Sequence, residues 1–391
     1  MAAGPPDVER CGRPESAPPR SLSGSLGEVA ALFLRLGMTA FGGPAAHIAM
    51  MRREVVERRR WFSDAEFLDL LGVANLLPGP SSTEMAIFLG YLRAGPLGLV
   101  VAGTLFIVPA MLMVLALAWA YVRYGTLPQA QSALYGVKPV IIAIVAQALW
   151  GLAGTAFRER WLALLAAAVA ALYLFGWNVI ALLVGAGAAA ALARTGRGAV
   201  AAVPPLVGAA AAPAVSFSLA ALFLTFLKIG AVTFGSGYVL LAFLRSDFVL
   251  RLRWLTDRQL IDAVAVGQFT PGPVFTTATF IGYLTGGLRG ALAATLAIFL
   301  PGFVLVPLAY PLIPRIRRSP AAAAFLGGAT AGALGLMAAV TWQLARAGIV
   351  DAVTAAIAVA AFGVLLRFRF NSAWLVAGGA LVGAAVKVLG G

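Results

Sequence analysis

The sequence predicts an all-α, polytopic transmembrane protein of two homologous, inverted repeats, with broken, re-entrant helices at two Pro-Gly-Pro motifs. Composition, uncharged runs and an internal duplication predict it. Of 391 residues, 61% are apolar and 11% charged. Soluble domains average about 45–50% apolar and about 25% charged, so this chain has too little polar surface to coat a water-facing globule. No charge interrupts Pro96 to Val122, Trp161 to Ala193 or Gly290 to Pro314. About 20 apolar residues in a helix cross the hydrocarbon layer. No period-2 alternation argues for a barrel, and the runs are rich in the Ala, Leu and Gly of packed membrane helices.

The duplication is exact in places. Phe33 to Gly43 (FLRLGMTAFGG) is answered by Phe226 to Ser236 (FLKIGAVTFGS) at an offset of 193. The same offset pairs Trp61 with Trp254, Asp64 with Asp257, Asp69 with Asp262, and Pro78-Gly79-Pro80 with Pro271-Gly272-Pro273. Between Phe33 and Pro80, 17 of 48 ungapped pairs are identical, and chance likeness of apolar helices does not reproduce Trp, Asp and Pro-Gly-Pro in order. Beyond Pro80 the offset drops by one. Gly90-Tyr91 then matches Gly282-Tyr283, Gly98 matches Gly290 and Pro109 matches Pro301. The expected organisation is a disordered cytoplasmic tail over 1–25, an N-terminal transmembrane repeat over 26–197, a linker over 198–216 and a C-terminal transmembrane repeat over 217–391.

Each copy follows one plan. A first helix breaks at Gly42-Gly43-Pro44, or at Gly235-Ser236-Gly237. A basic, amphipathic stretch follows. Two short helices hinge on Pro-Gly-Pro, at about 64–77 and 81–92, then 256–270 and 274–285. Longer helices close the first copy at about 96–122, 131–153, 160–175 and 178–193. Basic loops fall one place apart in the two copies: Arg158, Arg160, Arg194 and Arg197 against Arg315, Arg317, Arg318, Arg367 and Arg369. If basic loops stay cytoplasmic, the copies are inverted. Arg245, Arg251, Arg253 and Arg258 then face outward, against the rule.

The net charge of +14 does not mark a nucleic-acid binder, because the arginines sit in short turns between apolar runs. The one cysteine, Cys11, lies in the tail, so neither a disulfide framework nor a thiol metal site is expected. The first 25 residues lack a signal-peptide core.

The candidate site lies at the hinges. Pro removes a helix donor and Gly lets the chain turn, so backbone groups are left unpaired at depth. That is tolerated only against protein or a watery cavity. A helix resuming at Ser81 offers amides and hydroxyls from Ser81, Ser82 and Thr83 to an anion. Thr276 and Thr277 follow the second hinge; Asn75, Gln268 and Thr270 precede the two hinges. With Gly42, Gly43, Pro78, Gly79, Pro80, Gly235, Pro271, Gly272 and Pro273 they form the expected substrate-binding set. Arg35 and Lys228 occupy matched positions in candidate spans and join it as cations, with snorkelling to the interface as the alternative. Glu84 and His47 are the proton-coupling candidates. Asp69 and Asp262 are expected to pair with nearby arginines, and Tyr121, Trp119 and Trp150 to lie in an interfacial aromatic belt.

FGGPAAHIAMM, the Trp61 stretch and NLLPGPSSTEMAIFLGYLRAG resemble the chromate ion transporter family, as do FLKIGAVTFGSGY and QFTPGPVFTTATFIGY in the second copy. The resemblance runs from about residue 28 to the end and marks the two-domain, long form. It implies gradient-driven chromate efflux across the bacterial inner membrane, chromate resistance, and inverted halves. The isosteric sulfate is a plausible competitor. The family's motif positions fall on Phe41, Gly42, Gly43, Pro44, His47, Pro78, Gly79, Pro80, Phe234, Gly235, Pro271, Gly272 and Pro273. Glu84 stands where some relatives carry glutamine, which leaves proton coupling open.

An enzyme is not expected: HExxH and GxSxG are missing, as is the GxxxxGK[ST] of an ATP-driven pump. No cofactor or metal is implied. A lipid-handling protein is the remaining alternative, distinguished by having no saturable oxyanion uptake. The expected partners are the oxyanion and the bilayer, and the sequence leaves open whether two chains form a homodimer.

Overall fold

The computed structural model describes residues 25–156, 159–195, 216–233, 239–312, 319–368 and 372–389. Among them are fourteen α-helices and no strand. The first copy opens with α1 (Leu26–Thr39), capped by the Ser25 hydroxyl, which accepts from the Glu28 amide. Gly42, at φ +103°, breaks the path, and α2 (Gly43–Arg52) restarts with Pro44 in its first turn. A π-helical turn, Arg53–Arg58, extends α2. Then come α3 (Asp64–Ala74), α4 (Ser81–Tyr124), α5 (Pro128–Ala156), α6 (Arg160–Leu174) and α7 (Val179–Thr195).

The second copy repeats this order. It runs α8 (Leu219–Val232), α9 (Leu240–Leu244) with its π-helical turn Arg245–Arg251, α10 (Asp257–Phe269), a short 3-10 turn Val274–Thr276, and α11 (Thr277–Ala309). It ends with α12 (Pro320–Gly348), α13 (Ala352–Arg367) and α14 (Ser372–Leu389).

The likeness extends to backbone angles. Ala94 and Gly95 break α4 with φ of −142° and +64°, and Gly286 and Gly287 break α11 with −139° and +60°. These breaks separate each short hinge helix from the long span after it. Arg60 and Arg253 turn the chain at φ of 51° and 57°. Ser63 with Glu66 and Thr256 with Gln259 form capping boxes that start α3 and α10. Arg52 grips Asp64, and Arg245 grips Asp257, each through two guanidinium nitrogens.

Among the described residues, four helices are long and apolar enough to cross a membrane: Ser81–Tyr124, Pro128–Gly154, Val274–Ala309 and Pro320–Gly348. Five further helices, α6, α7, α8, α13 and α14, are apolar but shorter. Trp150, Leu164, Val359, Trp374 and Leu381 lie open on the outside, as lipid-facing side chains do. The molecule is a multi-pass, all-α membrane protein.

Packing does not keep the copies apart. α5 of the first copy packs on α13 and α14 of the second, while α12, its counterpart, packs on α6 and α7 of the first. α4 and α11 pack on each other. Bilayer helices gain little by hiding apolar surface from lipid, so close backbone contact must hold them. Gly136 of α5 lies against Gly379 and Gly383 of α14, and its counterpart Gly328 of α12 lies against Ala186 of α7. A Cβ at either position would strike backbone of the facing helix.

Apart from Ser25 and Ser216, the expected tail and linker fall outside the described residues, as do Arg158, Arg197, Arg315, Arg317, Arg318 and Arg369.

Candidate functional site

The two Pro-Gly-Pro hinges carry one free amide each, the glycine's, because proline has no N–H. Gly79 sits at φ +140° and Gly272 at +89°, on the side of backbone space that glycine tolerates. The Gly79 N–H donates to the Thr233 carbonyl at 2.7 Å, and the Gly272 N–H to the Ala40 carbonyl at 2.8 Å. Ala40 and Thr233 cap the C-termini of α1 and α8 and are counterparts at the offset of 193. Each hinge is therefore fastened to the broken first helix of the other copy. The exchange is reciprocal, as across a two-fold axis, and it satisfies backbone groups that a broken helix leaves open at depth.

Buried polar groups gather around these bonds. The Ala40 carbonyl also accepts from His47 Nε2 at 2.9 Å. A carbonyl only accepts, so Nε2 carries the proton. Nδ1 is buried without a partner, and the ring stands edge-on to Phe106 with centroids 5.7 Å apart. Glu84, in the first turn of α4, is 0% exposed, and neither carboxyl oxygen has a hydrogen-bond partner. It lies on Gly79, where a Cβ would collide with Oε1. The hydroxyl of Thr83 and the amide nitrogen of Gln268 are likewise buried and unpaired. In the second copy Leu240 and Thr276 stand in place of His47 and Glu84, and Leu240 lines a small cavity with Gln268, Val274 and Thr277.

Other expected site residues are used differently. The Thr83 amide turns inward to the Pro80 carbonyl at 2.7 Å, which narrows the expected amide set at the start of α4. The hydroxyls of Thr270, Thr276 and Thr277 donate to the carbonyls of Val266, Pro273 and Val274, so they offer a ligand lone pairs rather than protons. Asn75 is exposed at the end of α3, whereas its counterpart Gln268 is buried. Ser82, Gly43, Gly79 and Pro80 are buried, and Ser81 and Pro78 partly so. Gly235, with Phe234, lies outside the described residues.

The two expected cations are already paired. Arg35 meets Glu54, which also binds Arg58. Lys228 meets Asp247 at 2.6 Å, which also binds Arg251. All six residues match at the offset of 193. Arg35 and Lys228 thus anchor the π-helical turns to α1 and α8, with side chains 46% and 36% exposed.

The sequence matches the model of the chromate transporter family twice, over residues 27–192 and 220–384. The chain belongs to the chromate transporter family. It is 37% identical to the chromate transport protein of Cupriavidus metallidurans, over 97% of this chain and 96% of that one. It is 36% identical to the chromate transport protein of Pseudomonas aeruginosa, over 85% of this chain and 83% of that one. It is 34% identical to a probable chromate transport protein of Synechococcus elongatus, over 84% and 86% of the two chains. No solved structure matches it.

This family member also holds a charge cluster that sequence reasoning missed. Asp262 does not join the arginines as its main partners: Tyr121 Oη donates to its Oδ2 at 2.9 Å, and Lys138 Nζ stands 3.4 Å from Oδ1. Tyr121 also stands edge-on to Phe280, with ring centroids 5.1 Å apart. Trp119 and Trp150 do lie open, at 52% and 70% exposed. One signal marked the cluster: Lys138 is the sole charge between Arg123 and Arg158. Asp69, the counterpart of Asp262, is exposed.

Proposed function

We propose that this chain carries chromate outward across the bacterial inner membrane, driven by an ion gradient, and so confers chromate resistance. The observation that supports it most is the reciprocal fastening of the two hinges, Gly79 to Thr233 and Gly272 to Ala40. It sets each hinge against the end of the other copy's first helix, and secondary transporters build a solute site where broken helices of two repeats meet. The names of its relatives supply the substrate class. In this reading the copies are inverted repeats. Their hinges, with Ser81, Ser82 and Gln268, line the oxyanion path, and Glu84 and His47 handle the coupling proton. Glu84 suits that role because a sealed, unpartnered carboxyl inside a membrane protein is a functional group by default. Arg35 and Lys228 add positive field near the path, each beside a second cation.

Purified protein in proteoliposomes tests this. Saturable chromate flux is expected, inhibited by excess sulfate and reduced when an ionophore collapses the proton gradient. Flux that matches empty liposomes would refute transport; flux indifferent to the ionophore would refute proton coupling alone.

A further inference from the structure

We propose that Lys138 is an oxyanion-binding cation whose resting counter-ion is Asp262, and that an entering dianion displaces that carboxylate. The inference rests on the transport function proposed above and adds a site to it. Lys138 comes from α5 of the first copy and Asp262 from α10 of the second, the helix that leads into the second hinge. The pair is loose. Its 3.4 Å separation exceeds the 2.6 Å of Lys228 to Asp247, and Asp262 Oδ1, on a side chain only 3% exposed, makes no hydrogen bond. Charge-assisted bonds close to about 2.7–2.9 Å when nothing holds them apart. Tyr121 holds Asp262 by its other oxygen. The ammonium is therefore the under-used partner, and at 18% exposed it is the more accessible one.

Two small cavities lie along α10 beyond the pair. One is bounded by Ile141 and Ile142, a turn after Lys138, together with Ile261 and Val264. It shares Leu241 and Val264 with the second cavity, which reaches Gln268 and Thr277 at the hinge. Ile261, Val264 and Gln268 follow one face of α10 at helical spacing. The two voids thus follow α10 from a turn beyond Lys138 to Gln268 and Thr277, which flank the second Pro-Gly-Pro. The second copy has no counterpart of Lys138: at that position it carries Thr330. A strut needed for packing alone would be expected in both copies, as the Arg52–Asp64 and Arg245–Asp257 pairs are.

Equilibrium binding of labelled chromate to the purified full chain in nanodiscs tests the assignment. If the anion competes with Asp262, Asp262→Asn tightens binding about tenfold while Lys138→Met weakens it about tenfold, opposite in sign. Lys138→Arg stays near wild type. The double variant Lys138→Met, Asp262→Asn buries no lone charge, so it folds even where Lys138→Met does not, and it binds as weakly as loss of the cation dictates. Shifts of the same sign in the two single variants, or wild-type affinity in the double variant, overturn the inference and leave chromate transport standing. A wild-type chain that binds no chromate removes both.

Discussion

At the scale of single residues, the hinge glycines are the positions least able to change. Gly79 has φ +140°, and a Cβ there would meet the Glu84 carboxyl. Backbone strain of this kind costs about 1–3 kcal/mol, and overpacking adds about 1–3 kcal/mol. Gly79→Ala is therefore expected to lower the thermal unfolding midpoint in detergent and to abolish chromate flux. Gly72 of α3 has open space where a Cβ would go, so Gly72→Ala should leave both unchanged. Glu84→Gln keeps the shape of the side chain and removes its ionisable oxygen. It should fold like wild type, with flux that no longer responds to an imposed pH gradient; a full response would take Glu84 out of the coupling. The residues of the hinges were legible because proline and glycine announce a break wherever they stand in an apolar run. The partners were not. Nothing in the linear chain says that the Ala40 carbonyl takes bonds from both His47 and Gly272, or that Arg35 and Lys228 pair with Glu54 and Asp247, because those contacts arise only when helices cross.

Among elements, the short-then-long pattern after each Pro-Gly-Pro was readable from length and glycine placement, and the breaks at Ala94–Gly95 and Gly286–Gly287 fall where the short helices were expected to end. The π-helical turns were not readable. They depend on one extra residue per turn, closed by Arg59 N–H to Glu54 and Leu252 N–H to Asp247 carbonyl bonds, and composition carries no mark of that. Helix caps sit between these extremes. Asp351 caps α13: its carboxylate accepts from the Thr354 amide at 2.8 Å and from Tyr135 Oη at 2.7 Å. The Thr354 amide first, then the Tyr135 hydroxyl, hold the Asp351 carboxyl below the usual range. A carboxyl depressed in the folded state adds stability that is complete above its unfolded value, about 3.9, and is lost as pH falls through the lower folded one. Unfolding midpoints measured from pH 6 downward should show an acid loss beginning near pH 4. Asp351→Ala should start lower at pH 6 and lose that part of the acid dependence.

For the whole molecule, duplication was plain in the sequence but interleaving was not. A repeat offset says which residues correspond; it does not say whose helices touch. Because α5 rests on α13 and α14 while α12 rests on α6 and α7, neither copy encloses its own long span. Gly136 and Gly328 would each lose the opposing backbone that their missing side chains admit. The copies also differ in titratable residues: His47 corresponds to no histidine in the second copy, Glu84 to no acid and Lys138 to no second lysine. Residues 26–197 expressed alone should therefore fail to give a monodisperse species in detergent, since α5 would expose a glycine-lined face that lipid fills poorly. Co-expressed with residues 217–391, they should assemble into a complex of full-chain size on size-exclusion chromatography, with an affinity tag on either half retaining both. A first half that is stable and monomeric on its own would show that contacts across the copies contribute little, and the hinge bonds between Gly79 and Thr233 and between Gly272 and Ala40 would then have to form between two independently folded bodies.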